Sequence, residues 1–399
     1  MRITTNMIYD RGVFSMQTLW SKSLHTQQEI STGRRVLTPA DDPVAAARAL
    51  DVTQSRSING QFQTNQDYSS DQLKLLESKL TSIGDILQYV RQNAVSAGDG
   101  AYGQEQLDSI AADMRSQFDA LLALANTRDA AGDFLFSGYR ADTQPFQGGY
   151  GGVHYEGDQG TRTMQVSSTR FMPVSLPGSD VFDNTRALEG SLNTFAGQAN
   201  GGGATASAVF VPAQPDPANT GRRYDVRFNG AGYDVTEYQP GNSAPVTVAA
   251  TVTMGPPDTI EFNGLKVEVS GTPNNGDSFE VFAASKDVFD NLAIFIDTLE
   301  RPGSSGVISG MKFGMDNTDA ALDTVLRIRA QVGSQMVELE QLGSLSSDMD
   351  LQYASTLSRL QDGDYAEAMS RLTQLQTNLE AAQLSFIKVS GLSLFNFLE

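Results

Sequence analysis

Apolar residues recur at alternating three- and four-residue steps along both flanks of this chain and at steps of two through its middle. Leu73, Leu76, Leu80, Ile83, Leu87, Val90 and Ala94 keep a seven-residue repeat, the pattern of a coiled-coil seam rather than of a broad globular helix face. It predicts a long helix from Pro43 to about Ala97. After the turn-forming Gly98, Asp99, Gly100 and Gly103, the device repeats with Leu107, Ile110, Met114, Phe118, Leu121 and Ala125, so a helical hairpin is expected.

The far flank mirrors the near one. Val288, Leu292, Phe295 and Leu299 predict a short helix, and Leu322, Val325, Ile328, Val332, Met336 and Leu339 begin a long one running towards Gln361. At the two extremes the stripes are narrower. Met16, Trp20, Leu24 and Ile30 lie in a polar helix from Thr4 to Thr32, and Met369, Leu372, Leu375, Leu379, Ala382, Phe386 and Val389 lie in a helix within Asp364 to Leu398. A stripe that narrow needs a partner, because the apolar surface of one helix does not offset the entropy of ordering it.

Start and stop signals accompany the stripes. Gly33 supplies a C-terminal stop. Asp42 before Pro43 and Asp364 after Gly363 are natural N-caps, with Glu367 placed to reach back. Asp41 and Asp42 could also form a metal or acid-base pair, but no histidine is near them in sequence and the capping reading is preferred.

From Phe134 the period changes. Stretches such as Tyr224 to Phe228, Tyr233 to Tyr238 and Thr259 to Val269 alternate β-branched and aromatic residues, broken by Gly, Pro and Asn. Asn263-Gly264 is the clearest hairpin turn. Ala196 to Gly221, with Gly201-Gly202-Gly203 and three prolines, reads as a flexible loop. The expected fold is multidomain α+β: N- and C-terminal helices form a coiled-coil or helical-bundle core, and a β-rich outer domain is inserted. The expected division is residues 1–42 with 363–399, residues 43–133 with 286–362, and the insertion 134–285.

Composition narrows the function. The chain has 399 residues, no cysteine and a formal charge of -19, which disfavours nucleic acid and anionic membrane surfaces as partners and removes disulfides, thiolate nucleophiles and Cys-ligated metals. No membrane-spanning run and no cleavable leader is read, so the chain is expected to be cytoplasmic or exported by a route that reads no such leader. With two histidines, His25 and His154, and no zinc, nucleophile-elbow or phosphate-loop motif, no catalytic or metal constellation and no cofactor is expected. Asp316-Asn317-Thr318-Asp319 hints at calcium but lacks the glycine and bidentate Glu of a calcium loop; helix capping is preferred. Tyr224, Phe228, Tyr233 and Tyr238 could form a sugar platform, though core positions fit them better.

The two ends taken together resemble the flagellin family. Ile30 to Leu50, ISTGRRVLTPADDPVAAARAL, is similar to that family's N-terminal motif, and Leu372 to Leu398, LTQLQTNLEAAQLSFIKVSGLSLFNFL, to its C-terminal one. Leu135 to Phe146 and Tyr155 to Phe182 resemble the family's hook-associated members, and Ala187 to Asp277 lies outside the resemblance. The resemblance implies a secreted structural protein of the bacterial flagellum, exported unfolded through the type III channel. It would assemble as a ring of like subunits between hook-associated protein 1 and flagellin, with an export chaperone on its C-terminal helix. The terminal helices would form the inner tube and order on assembly. The expected assembly interface is Met16, Trp20, Leu24, Ile30, Met369, Leu372, Leu375, Leu379, Phe386, Val389 and Leu392. Flagellin itself and a secreted glycan-binding module are the alternatives.

Overall fold

The computed structural model describes residues 5–98, 102–183, 192–211, 220–242 and 244–391. The chain divides into two compact units, residues 1–64 with 342–399 and residues 65–341, and the divisions fall inside its two longest helices.

The terminal unit is helical. It contains α1 (Thr5–Thr32), the first part of α2 (Pro43–Ala97), the last part of α6 (Val307–Gln361) and α7 (Tyr365–Gly391). Gly33, at φ 70°, takes the left-handed conformation that ends α1. The Ala45 N-H donates to Asp42 Oδ1 at 2.9 Å to open α2, and the Ala366 N-H donates to Asp364 Oδ1 at 2.8 Å to open α7. Glu367 does not close the expected capping box; its carboxylate pairs with Arg371 at 2.6 Å, a full turn along the same helix. Within this unit the two long helices run antiparallel, joined by a bidentate Arg56–Asp350 pair at 2.8 and 3.1 Å and by Asn59 Nδ2 donating to Ser346 O at 2.7 Å.

The second unit starts from the remainder of α2 and α6, with α3 (Gln104–Ala125) and α5 (Val288–Glu300). Leu73, Leu76, Leu80, Ile83, Leu87, Val90 and Ala94 are all buried, as the heptads require. On α3 the buried stripe is Leu107, Ala111, Met114, Phe118, Leu121 and Ala125, so Ala111 stands where the sequence pointed to Ile110. The helix has rotated to keep four-three spacing and puts its small residue inward. The Asp316–Asp319 tetrapeptide is neither cap nor calcium loop. It lies inside α6, where Asn317 and Thr318 side chains donate to the carbonyls of Phe313 and Gly314 and Asp319 pairs with Arg91 at 2.6 Å.

Between α3 and α5 the chain is β-rich. The hairpins β1 (Phe146–Gly149) with β2 (Gly152–Tyr155) and β3 (Thr163–Gln165) with β4 (Phe171–Pro173), then the short α4 (Gly178–Phe182), lie next to the helices. Phe118, Phe146, Phe182 and Phe289 form a chain of ring contacts with centroids 5.0 to 5.6 Å apart. Further out stand two antiparallel sheets. One is ordered β10-β11-β12-β6 and comprises Thr251–Thr253, Asp258–Phe262, Leu265–Ser270 and Thr205–Phe210. The other, ordered β5-β13-β7-β8-β9, comprises Leu192–Ala196, Ser278–Ala283, Arg222–Phe228, Tyr233–Tyr238 and Val246–Val248. Their inner faces share one core that includes Tyr224, Val226, Val235, Ile260, Val267, Phe279 and Val281, an arrangement of two packed sheets.

Asn263 and Gly264, at φ 46° and 75°, make the β11–β12 turn with positive φ at both positions. The expected loop from Ala196 to Gly221 is partly strand. β6 alternates Ala206, Ala208 and Phe210 towards the core, and its inward alanines carry too little hydrophobicity to stand out in the sequence. Residues 212–219 of that stretch lie outside the described residues. The outer face of β13 is buried as well: Phe282 packs with Ile294 and Phe313, and Glu280 meets Arg223, which also reaches Asp297 on α5.

Candidate assembly surface

α1 and α7 pack antiparallel with Cα atoms within 8 Å of one another. The positions that turn inward explain how. On α1, Gly12, Met16, Leu19, Ser23, Thr26 and Ile30 follow four-three spacing and are the less exposed positions, with Ser23 and Thr26 fully buried. On α7, Ala368, Leu372, Leu375, Leu379, Ala382 and Phe386 do the same. Small residues facing one another permit close backbone approach, and the larger ones interleave between them. Thr26 Oγ1 donates to Lys22 O at 3.0 Å, so its buried hydroxyl is satisfied within the helix.

This seam leaves much of the apolar surface outside. Among the described residues, the terminal unit buries four apolar side chains, Val36, Ala45, Ala49 and Ala368, and exposes fourteen large ones. Trp20 is 58% exposed, Phe14 71%, Leu384 63% and Ile387 64%. Large apolar side chains left exposed over so small a core are the kind of surface that association with another protein covers.

The expected interface residues fall in three groups. Met16, Ile30, Leu372, Leu375, Leu379 and Phe386 lie in or beside the α1–α7 seam. Trp20, Leu24 and Met369 are exposed, and Trp20 borders a groove with Met16, Gln17, Leu379 and Gln383. Val389 is placed on α7 by its backbone alone, and Leu392 lies outside the described residues. Sequence reasoning missed Leu19, and also Gly12, Ser23 and Thr26, whose inward positions are legible only by continuing the heptad through residues that are not hydrophobic.

The polar positions resolve as caps and ties. Asp41 does not sit apart from histidine: His25 Nε2 lies 3.0 Å from its Oδ1 although sixteen residues separate them in sequence. Its Oδ2 accepts from the N-H of Leu37 and from the N-H and hydroxyl of Thr38. Backbone donation, from Thr38 to Asp41 and from Ala45 to Asp42, holds both carboxyls below the usual range. No group of three or more metal-ligating side chains occurs among the described residues. No helix is long and apolar enough to cross a membrane there.

The sugar platform does not form. Tyr224 and Tyr233 are buried in the sandwich core with Phe228 on the same face, and Tyr238 lies on the opposite face under the Arg223 guanidinium, 4.3 Å from its ring centroid. Strand alternation separates Tyr238 from the other three rings, which face the core rather than solvent.

Long helices from both ends of the chain flank a β-rich stretch, and the model of the bacterial flagellin N-terminal helical region matches residues 3–141. A second model, the D2-like domain of flagellar hook-associated protein 1, matches residues 199–283, overlapping most of the stretch that the sequence resemblance left uncovered. Over nearly its whole length the chain is similar to proteins named flagellar hook-associated protein 3. The chain is 28% identical to that protein from Salmonella typhimurium and 27% to that from Escherichia coli K12, over 99% of each chain. Among solved structures, FlgL of Xanthomonas campestris is 25% identical with a TM-score of 0.51, covering 75% of this chain and 98% of its own. Hook-associated protein-3 of Legionella pneumophila shares the fold at 24% identity and a TM-score of 0.54, covering 77% and 98%.

Proposed function

We propose that this chain is a structural adaptor of the bacterial flagellum that joins the hook to the filament. It meets hook-associated protein 1 on one side, flagellin on the other and its own copies laterally. The observation that carries the reading is the terminal unit, which spends its small residues on pairing α1 with α7 and leaves large apolar side chains facing outward. Full-length likeness to hook-associated protein 3 supports it. The likeness to a flagellin, from Shigella flexneri, spans 63% of this chain and 42% of that protein at 25% identity, and gives less support to a filament subunit.

The assignment carries its parts with it. Residues 1–42 and 363–399 form the inner-tube domain, 43–133 and 286–362 the bundle, and 134–285 the outer domain. Met16, Trp20, Leu24, Ile30, Met369, Leu372, Leu375, Leu379, Phe386, Val389 and Leu392 make the assembly interface. The chain is secreted, works outside the cell without enzymatic activity or cofactor, and is escorted by a chaperone on its C-terminal helix. Neither nucleic acid nor membrane is a partner.

Two variants test this. Leu379→Asp with Phe386→Asp places charge in the α1–α7 seam; Phe14→Asp with Leu384→Asp leaves the seam and alters only the exposed surface. Both are expected to abolish filament attachment while the second unit keeps its thermal transition. Normal filaments on either variant would sink the reading, and long fibres grown from the purified chain alone would favour flagellin.

A further inference from the structure

The connector between α1 and α2 is tied to its neighbours in the terminal unit at several points. The Arg35 N-H donates to Gln361 O at 2.7 Å, and the Gly363 N-H donates to Gly33 O at 3.0 Å. Arg35 Nη1 lies 3.6 Å from Asp42 Oδ2. Between these ties stands His25 of α1, with Nε2 3.0 Å from Asp41 Oδ1 on the connector and Nδ1 3.2 Å from Glu29 Oε1 on its own helix. The side chain of Glu29 is 11% exposed, and its other oxygen lies 3.7 Å from Arg371 of α7, which pairs with Glu367 at 2.6 Å. Asp41, His25, Glu29, Arg371 and Glu367 thus form a row in which carboxylates alternate with basic side chains, crossing from the connector through α1 to α7.

Only one protonation state of the imidazole satisfies this row. A neutral ring donates through one nitrogen and accepts through the other, while an ionised carboxylate accepts only. Asp41 is held ionised by the N-H of Thr38 and further donors. With a carboxylate against each nitrogen, both contacts form together only when the ring carries both protons. We propose that His25 is a proton-operated latch: protonated, it ties the connector to α1 and, through Glu29 and Arg371, to α7; deprotonated, it releases one carboxylate and the connector loosens. Histidine is the side chain whose charge changes in the range of about pH 5 to 8. The latch is therefore closed at the acidic end of that range and opens as pH rises through it.

Hydrogen exchange on the full chain reads the latch directly. After correction for the intrinsic pH dependence of exchange, protection of the Leu37 and Thr38 amides is expected to fall about three- to tenfold between about pH 6 and about pH 8, the scale of one net hydrogen bond. His25→Gln is expected to abolish the fall, and so is Glu29→Gln, because a neutral amide can face either ring nitrogen. His154→Gln should leave it intact. Equal protection at both pH values in the unaltered chain, no protection at either, or the same fall in both the His25 and Glu29 variants would overturn the proposal.

Discussion

The ring of Phe386 on α7 lies against Gly12 of α1, so closely that a β-carbon built on the glycine would stand 2.6 Å from Cδ2. Tyr9, one turn before Gly12, meets the same ring at 4.9 Å between centroids. The helix bears a residue of poor helical propensity, about 1 kcal/mol worse than alanine, at the position where the partner ring needs room. Gly12→Val should therefore displace Phe386 and reduce amide protection along α1, with the melting of the second unit unchanged. Protection equal to that of the unaltered chain would mean that the ring does not depend on the glycine.

Arg223 is the pin between the β sandwich and the helices of its unit. At 1% exposure it bonds Glu280 of β13 at 2.9 Å, Asp297 of α5 at 3.0 Å and the Arg301 carbonyl at 2.9 Å, with its face over Tyr238. Removing one partner of a buried ion pair leaves an uncompensated charge, at a cost of about 3 to 5 kcal/mol. Arg223→Met should lower the unfolding free energy of this unit by about that much in urea titration, and adding Glu280→Met should recover part of it. A loss within about 0.5 kcal/mol, the range of ordinary surface substitutions, would show the pair to be dispensable.

Buried carboxyls make the second unit prefer mild acid. Burial pushes the Glu280 carboxyl up to about 7 and the Asp290 carboxyl up to about 6, and it raises Asp183, Asp225 and Asp287 as well. A carboxyl whose affinity for protons is higher in the fold than in the open chain is least costly below its open-chain value near pH 4, and stability is lost as pH rises through the folded value. For Glu280 and Asp290 the loss is on the order of 3 kcal/mol each. Thermal melts should show a transition higher at about pH 5 than at about pH 8. Glu280→Gln should flatten that slope; a melt that rises with pH would contradict the assignment.

Helix boundaries were legible because local chemistry dictates them. Asp42-Pro43 opens α2 and Asn263-Gly264 turns β11 into β12 through conformations that few other residue pairs favour. The facing of α1 was not legible by hydrophobicity. Trp20 and Leu24 are its conspicuous apolar residues, yet the seam with α7 runs through Gly12, Ser23 and Thr26, since close helices select for small size over greasiness. The link from His25 to Asp41 was hidden for a different reason: it depends on the connector folding back over α1, which no window of sequence expresses. β6 escaped notice because it contributes alanine to a core filled mostly by its neighbours.

Trp20 offers a reading of assembly that needs no label, since it is the chain's one tryptophan and 58% of it faces solvent. It borders the groove formed with Met16, Gln17, Leu379 and Gln383, so a neighbour seated on that face would cover the indole and exclude water from it. In the separate chain the emission should be that of a hydrated indole, readily quenched by acrylamide. On incorporation next to the hook, emission should shift to shorter wavelength and quenching should fall several-fold, as burial of a large aromatic requires. Trp20→Ala should weaken attachment by on the order of 2 kcal/mol if the indole is one of the anchors of the interface. Emission and quenching unchanged by assembly would place Trp20 outside the contact and move the interface to the faces bearing Phe14 and Leu384.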